Sequence, residues 1–137
     1  MSQNTKPPFR ADHVGSLLRP AALKEARAKF ANGEIAAAAL KEIEDREIER
    51  VIKKQEEVGL KSATDGEFRR AWWHFDFMGM LDGLDIEQRE GGGIQFHGTT
   101  TKSDVPVING PLGFPDEHPM LEHFKFLKAH AKVKPTI

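Results

Sequence analysis

Between Ile35 and Val58 the apolar side chains Leu40, Ile43, Ile48, Val51 and Ile52, with Gln55 in register, recur mostly every three or four residues. Glu, Lys and Arg fill the opposite face, so the pattern predicts a long amphipathic helix, which Gly59 is suited to end. Glu42–Arg46 and Glu49–Lys53 stand four apart in the favourable order, acid before base. Short strand candidates flank this helix: Phe9–Val14 before it, Leu60–Thr64 directly after it, and Val133–Ile137 at the end of the sequence. Strands separated by long helices imply parallel pairing through helical crossovers. Three parallel strands would need cover on both faces and would leave their edges open. The expectation is therefore the first part of a larger α/β domain.

The remaining segments fit around that frame. Residues 1–8, with Pro7-Pro8, read as a flexible leader. Pro20 can open a helix over Ala21–Phe30, and Asn32-Gly33 stops it. Ala71–Leu81 reads as a further helix carrying Trp72, Trp73, Phe75 and Phe77, ended by Gly83. Alternation between Ile86 and Asn109 around Gly91-Gly92-Gly93 suggests a twisted β-hairpin. Pro119–Ala131 is the last helix candidate, with Met120, Phe124 and Leu127 at helical spacing.

Composition narrows the function classes. Twenty basic against 21 acidic side chains leave a net charge of −1, so no overall field favours nucleic acid or an anionic membrane. The longest apolar run, Ile35–Leu40, falls far short of the roughly 20 residues that span a bilayer. The N-terminus has no apolar stretch of the secretory kind. A cytoplasmic setting is expected. With no cysteine, disulfides, a thiolate zinc site and a cysteine nucleophile are excluded from this chain.

Two loops combine glycine with polar groups just after strand candidates, where parallel α/β proteins bind ligands. The first is His13-Val14-Gly15-Ser16, whose N–H groups and hydroxyl could hold a carboxylate or phosphate; its bland alternative is a glycine turn with a serine cap. The second is Asp65-Gly66-Glu67, followed by Arg69 and Arg70. Its acid could accept hydrogen bonds from an ammonium group, or Glu67 could simply pair with either arginine. The aromatic run Trp72–Phe77 is expected in a core, with a wall for a flat ligand as the sharper alternative. His118 and His123 are five apart, not the four of a helical zinc pair, and no HExxH, GxGxxG, P-loop or GxSxG motif occurs. Thr99-Thr100-Thr101-Lys102 could contact an anion, but reads first as a solvated hairpin tip.

Three stretches together resemble the catalytic barrel of cobalamin-independent methionine synthase: Phe9–Pro20, Ile48–Leu60 with its Gln55-Glu-Glu-Val-Gly-Leu60 ending, and Asp65-Gly-Glu-Phe-Arg-Arg70. The nearest pattern is that of short, single-barrel relatives, and the resemblance runs from about Phe9 to Ile137. It implies a (β/α)8 TIM barrel, of which residues 9–137 would be the N-terminal portion, since such a barrel takes roughly 250 residues. It also implies zinc, no cobalamin, and methyl transfer from 5-methyltetrahydrofolate (polyglutamate) to homocysteine, giving methionine. By resemblance, Val14, Gly15 and Ser16 bind the amino-acid part of homocysteine or methionine, and Glu67 supplies a carboxylate to the same ligand. Thr99–Val107 is similar to a segment that approaches the folate, but the family's Arg-Cys pair is absent and no residue carries over.

The family's zinc ligands, His, Cys, Glu and Cys, belong to later strands, so no metal ligand is assigned to this chain. The alternatives are another thiol alkyltransferase of the same barrel family, or a non-catalytic fragment that binds ligand or needs a partner. That partner would be the remainder of the barrel or a second copy.

Overall fold

A computed structural model describes residues 15–89, 95–100 and 103–136. The leader, the strand candidate Phe9–Val14 and the Gly91–Gly93 turn lie outside the described residues. The described chain is mixed α/β and divides into two compact units, one within Met1–Arg69 and His123–Ile137, the other Arg70–Glu122.

In the first unit, Pro20 caps helix α1 (Ala21–Ala31), its carbonyl accepting the Leu23 and Lys24 N–H groups at 3.1 Å each. Helix α2 (Ala37–Glu57) matches the long periodic segment. It closes as the sequence predicts: Gly59 N–H donates to Glu56 O at 2.9 Å and Leu60 N–H to Gln55 O at 3.1 Å, a Schellman closure. Among the described residues the ion pairs within it are Lys41–Asp45 and Glu47–Arg50, both at 2.7 Å, and Arg46–Glu47 at 3.6 Å, rather than Glu42–Arg46 and Glu49–Lys53. Strand β1 (Ser62–Ala63) follows directly.

The core of this unit is built from Leu23 of α1, Ile48 and Ile52 of α2, Ala63 of β1, Phe68 just beyond it, and Leu127. Leu127 belongs to helix α4 (Pro119–His130), which leads to strand β6 (Lys134–Pro135). Ser62 and Ala63 pair in parallel with Lys134 and Pro135. The parallel pairing inferred from strand–helix alternation is thus present between these two strands.

Gln55, the polar member of the α2 stripe, is buried for a reason. Its Nε2 donates to Val51 O and Thr64 O (3.1 and 2.8 Å), and its Oε1 accepts the Thr64 N–H at 3.0 Å. The side chain imitates a neighbouring strand and pins the chain leaving β1. Gln55→Leu keeps the bulk but strands the Thr64 donor and acceptor, so a loss of about 2 kcal/mol is expected in urea denaturation; an unchanged midpoint would show the clamp to be dispensable.

The second unit departs from expectation. The helix predicted over Ala71–Leu81 shrinks to α3 (Phe75–Met78). The Asp76 carboxylate accepts the N–H groups of Ala71 (2.8 Å) and Trp72, holding the chain ahead of α3 in a turn rather than a first helical turn. The aromatic run does not form a core: Trp73 is 70% exposed, and Trp72 and Phe77 are exposed as well. Gly83 does not end a helix but lies in strand β2 (Asp82–Gln88), where a Cβ would meet Pro111 O at 2.3 Å.

Two-residue strands β3 (Gln95–Phe96) and β4 (Thr99–Thr100) form a small hairpin. Strand β5 (Asp104–Gly113) pairs antiparallel with β2, from Leu84↔Ile108 to Gln88↔Asp104, so the predicted hairpin region is an antiparallel ladder. His118 is buried. Its Nδ1 accepts the Met120 N–H at 3.2 Å and its Nε2 lies 3.2 Å from Phe77 O, while its ring stacks on Phe114. It is a structural histidine.

Candidate amino-acid-binding site

The loop leaving β1 is built from local hydrogen bonds. Thr64 Oγ1 accepts the Gly66 N–H (3.1 Å), and Asp65 Oδ1 accepts the Glu67 N–H (2.9 Å). These bonds wind the chain through two left-handed residues, Gly66 (φ +69°) and Glu67 (φ +56°). Glu67 is the one described non-glycine residue with positive φ. Left-handed backbone at a residue with a Cβ is strained, and such strain persists where surrounding structure over-determines it.

That surrounding structure comes from several directions. Leu17 N–H donates to Gly66 O at 3.1 Å, tying the segment just after Gly15-Ser16 to the Glu67 turn. Arg19 Nη2 donates to Glu67 O (3.1 Å) and Arg27 Nη2 to Phe68 O (2.5 Å). Arg69 does not serve Glu67. Its side chain is only 5% exposed and turns to α2, pairing with Glu44 at 3.3 Å and with Asp45, and its guanidinium lies 5.1 Å from the Phe126 ring centre. Of the two arginines that the bland reading offered Glu67, Arg69 is thus engaged by Glu44 and Asp45.

Of the sequence-derived site residues, Gly15 (φ +86°) and Ser16 are exposed, Glu67 is half-buried, and Val14 lies outside the described residues. The two loops, about fifty positions apart in sequence, meet through the Leu17–Gly66 bond. The thread from Thr99 to Lys102 is described only at Thr99 and Thr100. Sequence reasoning missed Gln55, Arg27 and Asp65 as supports. For Gln55 the signal was available: a polar residue in the apolar register of a helix that ends beside a strand.

Charges beneath the loop oppose one another. Burial pushes the Glu44 carboxyl above its ordinary value, against the pull of Arg69 and Arg27. Desolvation also works to raise Asp45, but hydrogen bonds from Lys41 and Arg69 outweigh it and hold Asp45 below the usual carboxylate range. A lowered acid contributes stability that is present above its unfolded value and is lost as the pH falls through the folded one. A raised acid does the reverse: its contribution is present below the unfolded value and lost as the pH rises through the folded one. Asp45→Asn is therefore expected to flatten the loss of stability on acidification below the ordinary Asp value of 3.8. Thermal melts across that range check this, and an unchanged slope would contradict it.

A cleft of about 380 Å³ lies away from these loops, along α2 and residues 130–132. Arg50, Glu49 and Glu56 on its walls already bond to Glu47, His130 and the Lys132 N–H.

The profile of the cobalamin-independent synthase catalytic domain matches residues 9–122. This chain belongs to the cobalamin-independent synthase family. Its relatives in the family include YxjG of Bacillus subtilis, an uncharacterised protein 52% identical over 129 residues, which cover 94% of this chain and 34% of YxjG. The 5-methyltetrahydropteroyltriglutamate–homocysteine methyltransferase of Thermosynechococcus vestitus is 32% identical over 113 residues, 82% of this chain and 14% of that protein. A crystal structure from Listeria monocytogenes, described as a candidate vitamin-B12-independent methionine synthase, superposes with a TM-score of 0.72 at 45% identity. That superposition covers 96% of this chain and 35% of the other. The chain thus spans about a third of the length of YxjG and of the Listeria protein. As in the sequence, no described helix is long and apolar enough to cross a membrane.

Proposed function

We propose that the chain forms the amino-acid-binding portion of a methyltransferase that moves a methyl group from 5-methyltetrahydrofolate (polyglutamate) to homocysteine, giving methionine. The observation that carries this is the Leu17–Gly66 bond, which brings the segment after Val14-Gly15-Ser16 against the turn bearing Glu67. N–H groups and the hydroxyl around Val14, Gly15 and Ser16 receive the ligand carboxylate, and Glu67 receives its ammonium. Holding both ends of the amino acid fixes the direction of its sulfur, and positioning of this kind supplies a large share of rate enhancement. Residues 9–137 are read as the first part of a (β/α)8 barrel. Support comes from β1 and β6, which pair in parallel as consecutive barrel strands do.

Zinc, which the resemblance implies for the complete enzyme, would activate the thiol. The residues of this chain do not fit such a site: it has no cysteine, and no three ligating side chains converge among the described residues. No step is therefore assigned to the metal; this chain's residues bind and orient the amino acid.

YxjG, at 52% identity, carries no assigned activity, whereas the methyltransferases match at about 30%. That difference keeps a second reading open, a thiol alkyltransferase of the same family with another thiol. Calorimetric titration with L-methionine tests the first reading. Binding is expected, and Glu67→Gln should weaken it about tenfold to a hundredfold, as expected for loss of a charge-assisted bond. Equal affinity of parent and variant would remove Glu67 from the site, and tighter binding of a thiol without an α-amino group would favour the second reading.

A further inference from the structure

Asp65 is 2% exposed, and its two carboxylate oxygens are treated very differently. Oδ1 accepts the Glu67 N–H at 2.9 Å. Oδ2 is fully buried and has no hydrogen-bond partner among the described residues. The neighbouring loop groups are engaged: Thr64 through both its backbone groups and its hydroxyl, Gly66 through its N–H and its carbonyl, Glu67 through its N–H and its carbonyl. A buried carboxylate oxygen without a donor is costly, and one that is kept calls for a donor from outside the chain, a bound ligand, an ion or a water. This open oxygen belongs to the group that holds the Glu67 turn, and it stands at the carboxyl end of β1, the end at which α/β folds take ligands.

We propose that Asp65 is a second acid of the site, its Oδ2 accepting a hydrogen bond from the ligand's ammonium while its Oδ1 holds Glu67 in the left-handed conformation that presents the first acid. This rests on the amino-acid-binding role proposed above and extends it: two carboxylates select a cationic nitrogen over a neutral group at that position. An ammonium has three donors and no acceptor, so it can serve both acids at once.

Asp65→Asn separates the two duties of the side chain. The amide oxygen can still accept the Glu67 N–H, while an NH2 donor, unable to accept from an ammonium, replaces Oδ2. The probes are L-methionine and its deamino analogue 4-(methylthio)butanoate, titrated into the full chain as parent, Asp65→Asn and Glu67→Gln. Asp65→Asn should weaken methionine binding at least about tenfold and leave the weaker binding of the deamino analogue unchanged. Its unliganded melting temperature should stay close to that of the parent, because the Glu67 N–H keeps its acceptor and Oδ2 has no partner among the described residues to lose.

If Glu67→Gln loses methionine while Asp65→Asn keeps it within twofold, the second acid is overturned and the amino-acid site stands. Equal losses for methionine and its deamino analogue would make Asp65 a loop support only. A fall in the melting temperature of unliganded Asp65→Asn would show that Oδ2 is already satisfied within the fold, which also overturns the proposal. A parent chain that binds neither probe would overturn both assignments.

Discussion

Replacing Arg69 with methionine is expected to destabilise the protein by about 4 kcal/mol, the scale on which breaking a buried ion pair leaves an uncompensated charge. Arg69 is 5% exposed and is shared by Glu44, 12% exposed, and Asp45. Methionine fills similar space against Phe126, so most of the loss falls on the two acids. Asp45 retains Lys41 at 2.7 Å, but among the described residues Glu44 keeps only Arg27 at 3.7 Å. Desolvation already raises Glu44 with Arg69 present, and without it the carboxyl rises further. A raised acid is best tolerated protonated, so the deficit should be smaller in mildly acidic than in neutral solution. Adding Glu44→Gln to the variant should recover much of the loss. Urea denaturation at two pH values decides the matter; a deficit below about 1 kcal/mol, or one that grows on acidification, would mean that the cluster behaves as an exposed surface pair.

Gly66→Ala is expected to cost about 3 kcal/mol, from two sources that can be separated. A Cβ at φ +69° carries the left-handed penalty of about 1–2 kcal/mol. It would also stand 2.9 Å from Phe68 Cε1 and 3.4 Å from Leu17 Cβ, and Phe68 is locked in the core, so the ring has little room to move. Gly59 provides the control. It too is left-handed (φ +87°), but a Cβ there meets nothing within 4 Å, so Gly59→Ala should cost only about 1 kcal/mol. Equal losses at the two positions would show that packing against Phe68 and Leu17 adds nothing at Gly66.

The first unit was legible in the sequence because its signals are local and mutually consistent. The α2 stripe, the Gly59 closure, the short strand after it and the parallel strand beginning near Val133 all follow from period and punctuation. The second unit was less so. The residues around Trp72–Phe77 gave a helical pattern, but the chain before Phe75 is held in a turn on the Asp76 carboxylate and only four residues are helical. Exposure of Trp73 could not be read from its hydrophobicity. At the site, the identity of both loops was legible, while their meeting depends on one long-range bond, Leu17 to Gly66, that no spacing rule encodes. The ion pairs of α2 show the same limit: four-residue spacing allowed Glu42–Arg46, yet Arg46 lies 3.6 Å from Glu47, which is also held by Arg50.

The central claim is that the Gly15-Ser16 segment and the Glu67 turn form one amino-acid site. Backbone amide NMR of the full chain during titration with L-methionine tests it most directly. The predicted result is that Gly15, Ser16, Gly66 and Glu67 amides shift together and saturate along a single binding curve, with amides on the outer face of α2, such as Glu49 and Lys53, unmoved. Shifts at one loop without the other, or shifts centred on α2, would contradict the account.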